Sequence, residues 1–352
     1  MKKRVTIKFI AQQAGVDPAT VSRALNPATA SLISEKVRQK IRMICDEFGY
    51  RPALSGRTVA TGKTFKIGLI LGRMAKDFSA HNFARIICSL SAELQKHDYA
   101  LTILRANLKK NMDEQVCNFL MSGIADGYIT GPSMLGSNVF SLLQKLNTPF
   151  RIICDRHNLI PSVHHVIRDN SKALQTIWRS IPAPDTGKTL FFSHDIPSNN
   201  VPLADIKEAA QQIFKCDIPV KTLLYRRDTT FNAMEYRDAF KTAMANIDFI
   251  KKFKVIWCES DFTAAALLDV LENSGITVGK DILLVGSGDL ENYNEDCARP
   301  VISTINMNEE LIGKALADSL ISEINGKTPT DITIESKFIP RKTFPINNEV
   351  KI

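Results

Sequence analysis

The residues richest in recognition chemistry lie close together near the start of the chain: Thr6, Asp17, Pro18, Ala19, Thr20, Ser22 and Arg23. An arginine is the one long donor there. Its guanidinium makes a bidentate bond to guanine, worth ~1–3 kcal/mol of base discrimination. The hydroxyls of Thr6, Thr20 and Ser22 suit phosphate oxygens, which fix orientation but carry no sequence information. Pro18 and Ala19 donate no side-chain hydrogen bond, so only apolar contact is open to them. Asp17 is expected to cap a helix, with a contact to cytosine N4 as the lesser reading.

A second set of polar groups stands at the ends of β-rich runs: Arg73, Arg105, Asp155, Arg156, Tyr225, Arg226, Arg227, Ser260, Asp261 and Asp289. Strand-end groups of this kind line crevices that hold small polar molecules. Catalysis is not expected. The chain has no GxSxG, HExxH or P-loop, and GSGD is too short for a dinucleotide fingerprint. His157, His164 and His165 invite a metal reading, but no carboxylate or cysteine follows them at a recurring spacing. Neither a metal nor a cofactor is therefore expected. Seven cysteines, no two closer than 29 residues, read as free and mostly buried thiols, including Cys88 and Cys258 in apolar runs.

The elements that must position these groups follow from charge and periodicity. Net charge is +8 over 352 residues. Residues 1–64 hold 12 Lys+Arg against 4 Asp+Glu, and the remainder is balanced at 33 of each. A basic module on a neutral body implies a polyanion partner for the module alone. Within it, Thr6 caps a first helix that Gly15 ends, and Asp17 caps a second with Pro18 at its first position. Ser34 caps a third, whose stripe is Val37, Ile41, Ile44 and Phe48. Two helices around a glycine turn, within a three-helix unit, describe a helix-turn-helix.

From Phe65 onward, β-rich runs alternate with amphipathic segments. FKIGLIL, YALTIL, DGYITG, FRIIC, KTLFFS, VKTLLY, KVIWC and DILLVG read as strands, and FARIICSLSAELQKH as a helix burying Phe83, Ile86, Ile87, Leu90 and Leu94. About ten strands imply two α/β lobes of parallel sheet with helices on both faces. No run of 18 apolar residues exists, and MKKRVTIKFIAQQAGV lacks an apolar export core, so a cytoplasmic protein without a membrane span is expected.

TIKFIAQQAGVDPATVSRALN and FGYRPALSGRTVATGKT, with IGLIL, ADGYITGP, CDR, RDN, VIWCESD, DILLVGSGDL and ISTI in the body, resemble the LacI/GalR family of bacterial transcription regulators. The resemblance covers nearly the whole chain and is most specific in the first 64 residues. It implies a helix-turn-helix domain over 1–50, a hinge helix or linker over 51–64, and an effector-binding and dimerisation body over 65–345. The N-lobe would span about 65–164 and 298–330, and the C-lobe about 165–297 and 331–345, a periplasmic-binding-protein-like pair. It further implies that Arg57 and Val59 meet DNA, Val59 as a small minor-groove wedge, while Gly56 weakens the hinge helix.

By the same resemblance, Asp155, Ser260, Asp261 and Asp289 fall at effector positions, with Phe78 and Phe231 as aromatic matches. An asparagine and a second acid usual in the family are missing, Ser260 standing in place of the former. The family's effector-binding arginine aligns roughly with Pro202. With Arg73, Arg105, Arg156 and Arg227 at strand ends, an acidic or phosphorylated sugar is the expected effector. The implied protein is a homodimeric repressor of a sugar-utilisation operon that binds double-stranded operator DNA. A solute-binding receptor without enzymatic activity, its DNA role lost, is the alternative.

Overall fold

The computed structural model describes residues 5–26, 29–51, 58, 61–71, 81–107, 110–131, 136–195, 200–226, 232–293 and 300–346. The chain forms two compact units, Met1–Phe65 and Lys66–Ile352.

The head is three helices, α1 (Ile7–Ala14), α2 (Pro18–Leu25) and α3 (Glu35–Glu47). Gly15 ends α1 at φ 70°, a left-handed conformation that glycine adopts without steric cost. The chain then turns directly into α2. Ile10, Ala14, Val21, Ala24, Ile41 and Cys45 fill the centre, closed by Tyr50. Two expectations are corrected. Ser34 precedes α3 but makes no side-chain cap bond. Phe48 lies beyond the last turn of α3, so its ring is 37% exposed and meets Phe9 edge-on at 5.0 Å, while Cys45 takes the buried position.

The body contains two six-stranded sheets. The first is built from β1 (Lys66–Leu71), β2 (Ala100–Arg105), β3 (Gly127–Thr130), β4 (Phe150–Asp155), β5 (His164–Asp169) and β11 (Ile332–Glu335), in the order β11-β5-β4-β3-β1-β2. The second is built from β6 (Thr189–His194), β7 (Val220–Tyr225), β8 (Val255–Cys258), β9 (Leu283–Ser287), β10 (Ser303–Asn306) and β12 (Lys337–Ile339), in the order β12-β10-β9-β8-β6-β7. All pairings are parallel except β10 with β12. The central strands are apolar on both faces, as sheets covered by helices on both sides require.

The first lobe carries α4 (His81–Lys96), α5 (Met112–Met121) and α6 (Ser137–Leu146); the second carries α7 (Ser171–Ser180), α8 (Asn200–Phe214), α9 (Asn232–Ala245), α10 (Ile247–Ile250) and α11 (Asp261–Asn273). The returning helix α12 (Glu309–Ile324) packs on α4. Buried Arg151 on β4 fastens it, with Nη1 2.5 Å from Glu323 Oε2 and Nε donating to Ser319 Oγ at 3.1 Å. On α4, Phe83, Ile86, Leu90 and Leu94 are buried and Ile87 half-buried. Cys88, expected inside, points off that face and is exposed, as is Cys216; Cys45, Cys154 and Cys258 are buried, and all of these thiols are free.

The chain crosses between lobes later than expected at each of three points. His164–Asp169 pairs with β4, so the first crossing falls at Asn170 and not near 164. Ser303–Asn306 still pairs with β9, moving the second from near 297 to Met307 and Asn308. The third, expected near 330, falls at Ser336 between β11 and β12. Ser336 Oγ donates to Asn170 Oδ1 at 2.6 Å, tying two crossings together. Among the described residues no helix is long and apolar enough to cross a membrane.

Candidate functional site

In the head, α2 turns Val21 and Ala24 inward, and this leaves Pro18, Ala19, Ser22 and Arg23 exposed on the outer surface. Asp17 caps the helix. Its Oδ1 accepts from Thr20 N at 2.9 Å and its Oδ2 from the Thr20 hydroxyl at 2.8 Å. These bonds from Thr20 hold the carboxyl below the usual aspartate range. The Thr20 hydroxyl donates to Asp17 in this structure. Thr6 caps α1 by accepting from Phe9 N at 3.3 Å and remains exposed. Arg57 and Val59 lie outside the described residues.

In the body, each sheet reverses strand order beside its first strand, at β1/β3 and at β6/β8, and ligand crevices form at the carboxyl ends of such strands. The candidate side chains on these ends are already engaged. Asp155 receives Arg168 Nη2 at 2.9 and 3.0 Å. Arg156 reaches across to the second lobe, Nη2 lying 2.7 Å from Glu208 Oε2 on α8. His157 beside it stands 2.7 Å from Asp205 Oδ1 and 3.1 Å from Glu208 Oε2, so two basic side chains face two carboxylates. Arg156 is thus not an open anion receptor, and Arg105 is an exposed residue ending edge strand β2. Arg73, Phe78, Arg227 and Phe231 lie outside the described residues.

Ser260 caps α11 by accepting from Thr263 N at 3.2 Å and bonds Glu235. Asp261, buried in the first turn of α11, accepts from the Thr304 hydroxyl at 2.7 Å and from Leu290 N at 2.7 Å. Burial pushes its carboxyl up to about 6. A Cβ on Gly286 would sit 2.1 Å from Asp261 Oδ1, so a side chain there would displace that carboxylate. Asp289 has φ 53° and is bound by Arg341, with Asn306 Nδ2 donating to it at 2.8 Å. Asp261 and Asp289 are therefore consumed in shaping the loop after β9.

Sequence reasoning missed a buried group centred on Glu259, one residue before Ser260. Its carboxylate accepts from Ser193 Oγ at 2.7 Å, His194 N at 2.9 Å and Tyr225 OH at 2.5 Å, and it contacts the His194 ring. Burial opposes its ionisation, but the His194 ring and the two hydroxyls outweigh burial and hold the acid below the ordinary glutamate value. Burial, followed by the charge of Glu259, raises the Tyr225 hydroxyl far above the usual tyrosine range. All three donors come from the ends of β6 and β7, beside the strand reversal. The signal was available in FFSH, LLY and WCES, but only the sheet order brings these ends together.

Below the crevice edge of the second sheet lies a cavity of about 70 Å³, whose wall includes Asn170, Leu174, Pro202, Asp205, Trp257 and Glu259. Of the expected effector residues that are described, none lines it.

A helix-turn-helix head joined to a two-lobed ligand-crevice body defines a class of DNA-binding regulator governed by a small molecule. Residues 6–53 match the bacterial regulatory proteins of the lacI family, and residues 208–344 match the periplasmic binding protein-like domain. The chain thus carries a lacI-family helix-turn-helix domain and a periplasmic binding protein-like domain, and is similar along its length to LacI-family transcriptional regulators. It is 23% identical over 343 residues to the HTH-type transcriptional regulator RegA of Clostridium saccharobutylicum, covering 96% of this chain and 98% of the relative. To the sucrose operon repressor of Streptococcus mutans it is 26% identical over 334 residues, covering 92% and 94%. The fold is similar to a lac repressor dimer bound to operator and the anti-inducer ONPF, with TM-score 0.74 at 18% identity, covering 97% of this chain and all of the other. It is also similar to a CelR–cellobiose complex, with TM-score 0.59 at 19% identity over 97% of this chain and all of the other.

Proposed function

We propose that this protein is a cytoplasmic homodimeric repressor that binds a near-palindromic operator and is switched by a sugar or sugar derivative held between its lobes. The observation that carries the reading is the outer surface of α2, where Pro18, Ala19, Ser22 and Arg23 stay exposed on a helix whose other face is buried. Arg23 reads guanine, Pro18 and Ala19 meet thymine methyls, and Thr6 and Ser22 bind phosphates. Thr20 is a third phosphate contact, and Asp17 acts by holding the start of the helix. Arg57 and Val59 complete the contact from the hinge, Val59 in the minor groove.

Two-fold symmetry matches two heads to two half-sites. Similarity to a sucrose operon repressor and to a CelR–cellobiose complex supports a sugar as effector. Asp155, Arg156, Ser260, Asp261 and Asp289 serve the effector indirectly, by fixing the strand ends and loops around it, while Arg73, Phe78, Arg227 and Phe231 are the direct contacts proposed. An effector acts only through unequal affinity for the DNA-competent and incompetent forms.

The test is electrophoretic mobility of the full chain on DNA from upstream of its own gene, with neutral and phosphorylated sugars added in turn. A discrete sequence-selective complex whose population changes with a sugar is expected. Indifference to DNA sequence would contradict the reading.

A further inference from the structure

His157, Asp205 and Glu208 meet where the two lobes face each other. His157 stands in the short turn after β4 of the first lobe, and Asp205 and Glu208 lie one helical turn apart on α8 of the second. One ligand atom from each residue, an imidazole nitrogen and two carboxylate oxygens, falls within 4.8 Å of the others. Asp205 Oδ1 is buried and accepts no hydrogen bond among the described residues, although His157 Nε2 stands 2.7 Å away. A buried carboxylate oxygen ordinarily has a donor. This one faces the cluster and has none.

The second carboxylate is held in place from behind. Glu208 Oε2 accepts from Arg156 Nη2 at 2.7 Å and Oε1 from Gln212 Nε2 at 3.0 Å, and Gln175 donates in turn to Gln212 at 2.7 Å. Hydrogen bonds of this kind fix the orientation of coordinating carboxylates. With the imidazole neutral, as coordination requires, Asp205 and Glu208 outweigh Arg156 and leave an excess of negative charge. One imidazole with two carboxylates suits a first-row transition ion such as Zn²⁺, whereas Mg²⁺ prefers oxygen ligands and keeps its water. Around a tetrahedral zinc with bonds of about 2.0–2.1 Å, ligand atoms stand roughly 3.3 Å apart. The separations of 2.7 and 3.1 Å from His157 Nε2 need only a small opening, and His157 and Glu208 are exposed enough to make it.

We propose that His157, Asp205 and Glu208 bind a divalent transition-metal ion that joins the two lobes, with water in the fourth position. No metal was expected from the sequence, because the histidine and the acid pair are far apart in the chain and only the fold brings them together. Since the ligands come from both lobes, the ion binds the arrangement that gathers them and favours it over any other. The site is independent of the sugar reading, which stands or falls without it.

The test is calorimetric titration of the full chain with zinc chloride, and separately with magnesium chloride, for wild type, His157→Ala, Asp205→Asn and His97→Ala. The last variant removes a ligand from a second cluster among the described residues, Glu93, His97 and Asp318, in which Glu93 is already paired with Lys96. Wild type should bind one zinc ion at the site between the lobes and show no comparable heat with magnesium. His157→Ala and Asp205→Asn should each weaken that ion by at least about tenfold, while His97→Ala keeps it. Zinc should also raise the thermal midpoint of wild type, and this rise should disappear in His157→Ala.

Equal zinc binding by wild type and His157→Ala would overturn the proposal, as would a loss confined to His97→Ala. Absence of zinc binding by wild type would overturn it too, and would leave His157 as a proton-bearing partner of the two acids. Magnesium heat equal to that of zinc would mean a patch of carboxylates that attracts any dication, again against the site. If Asp205→Asn does not fold, Glu208→Gln on the more exposed side removes a ligand charge, with the same loss expected and the same retention contradicting it.

Discussion

In the head, the side-chain bonds that hold α1 and α2 in place span one helical turn: Thr6 to Phe9, and Asp17 to Thr20. In the body, the corresponding bonds join distant parts of the chain. Asp261 meets Thr304, Asp289 meets Arg341, and Glu259 gathers Ser193, His194 and Tyr225. The head therefore presents its recognition groups outward on a locally specified helix. The body ties these polar groups to one another and leaves a largely apolar recess beside them. A partner with a regular polyanionic surface needs the first arrangement, and a small molecule that must be enclosed needs the second.

The sharpest way to break this contrast is at Glu259. Glu259→Gln keeps the shape but turns an amide N–H₂ toward donors, and breaking a buried charge network of this kind costs about 3–5 kcal/mol. The thermal midpoint of the body should fall by several degrees in calorimetry while the head still binds DNA nonspecifically. An unchanged midpoint would mean that the Glu259 group does not organise the strand ends.

The pH dependence of stability separates two neighbouring acids. Asp261, raised to about 6 in the folded chain from 3.8, contributes stability that is full below pH 3.8 and lost as pH rises through about 6. Glu259, held below its ordinary 4.5, contributes stability present above that value and lost as pH falls through the depressed one. Asp261→Asn should therefore remove a loss, on the order of a few kcal/mol, that wild type shows between pH 4 and 7. Denaturant titration across that range checks it, and parallel curves would contradict the assignment.

The smallest effect is expected at Arg156. Its pair with Glu208 leaves the two side chains 35% and 34% exposed, and such pairs contribute roughly 0–1 kcal/mol. Arg156→Ala should leave the thermal midpoint nearly unchanged. A large drop would show that the contact between lobes is part of the body's core.

The same contrast explains what the sequence made legible. Caps, turn glycine and buried stripe of the head are local, so TIKFIAQQAGVDPATVSRAL could be read directly, apart from Phe48 and Ser34 at helix ends. The alternation of strands and helices in the body was legible for the same reason. The lobe crossings were not, because membership of β5 and β10 is decided by pairing with distant strands. Asp155, Arg156, Asp261 and Asp289 were correctly located at strand ends, but sequence does not say which partners neutralise them. Glu259 went unnoticed beside Ser260 and Asp261, because its role depends on β6 lying next to β8.

The most direct test is selection of bound sites from a random duplex pool by the full chain and by Arg23→Ala. Wild type should enrich an inverted repeat with a guanine at one fixed place in each half. Arg23→Ala should lose that preference, at ~1–3 kcal/mol per half-site, yet keep salt-dependent binding to any duplex. Enrichment of the same repeat by Arg23→Ala, or of no sequence by wild type, would contradict the account.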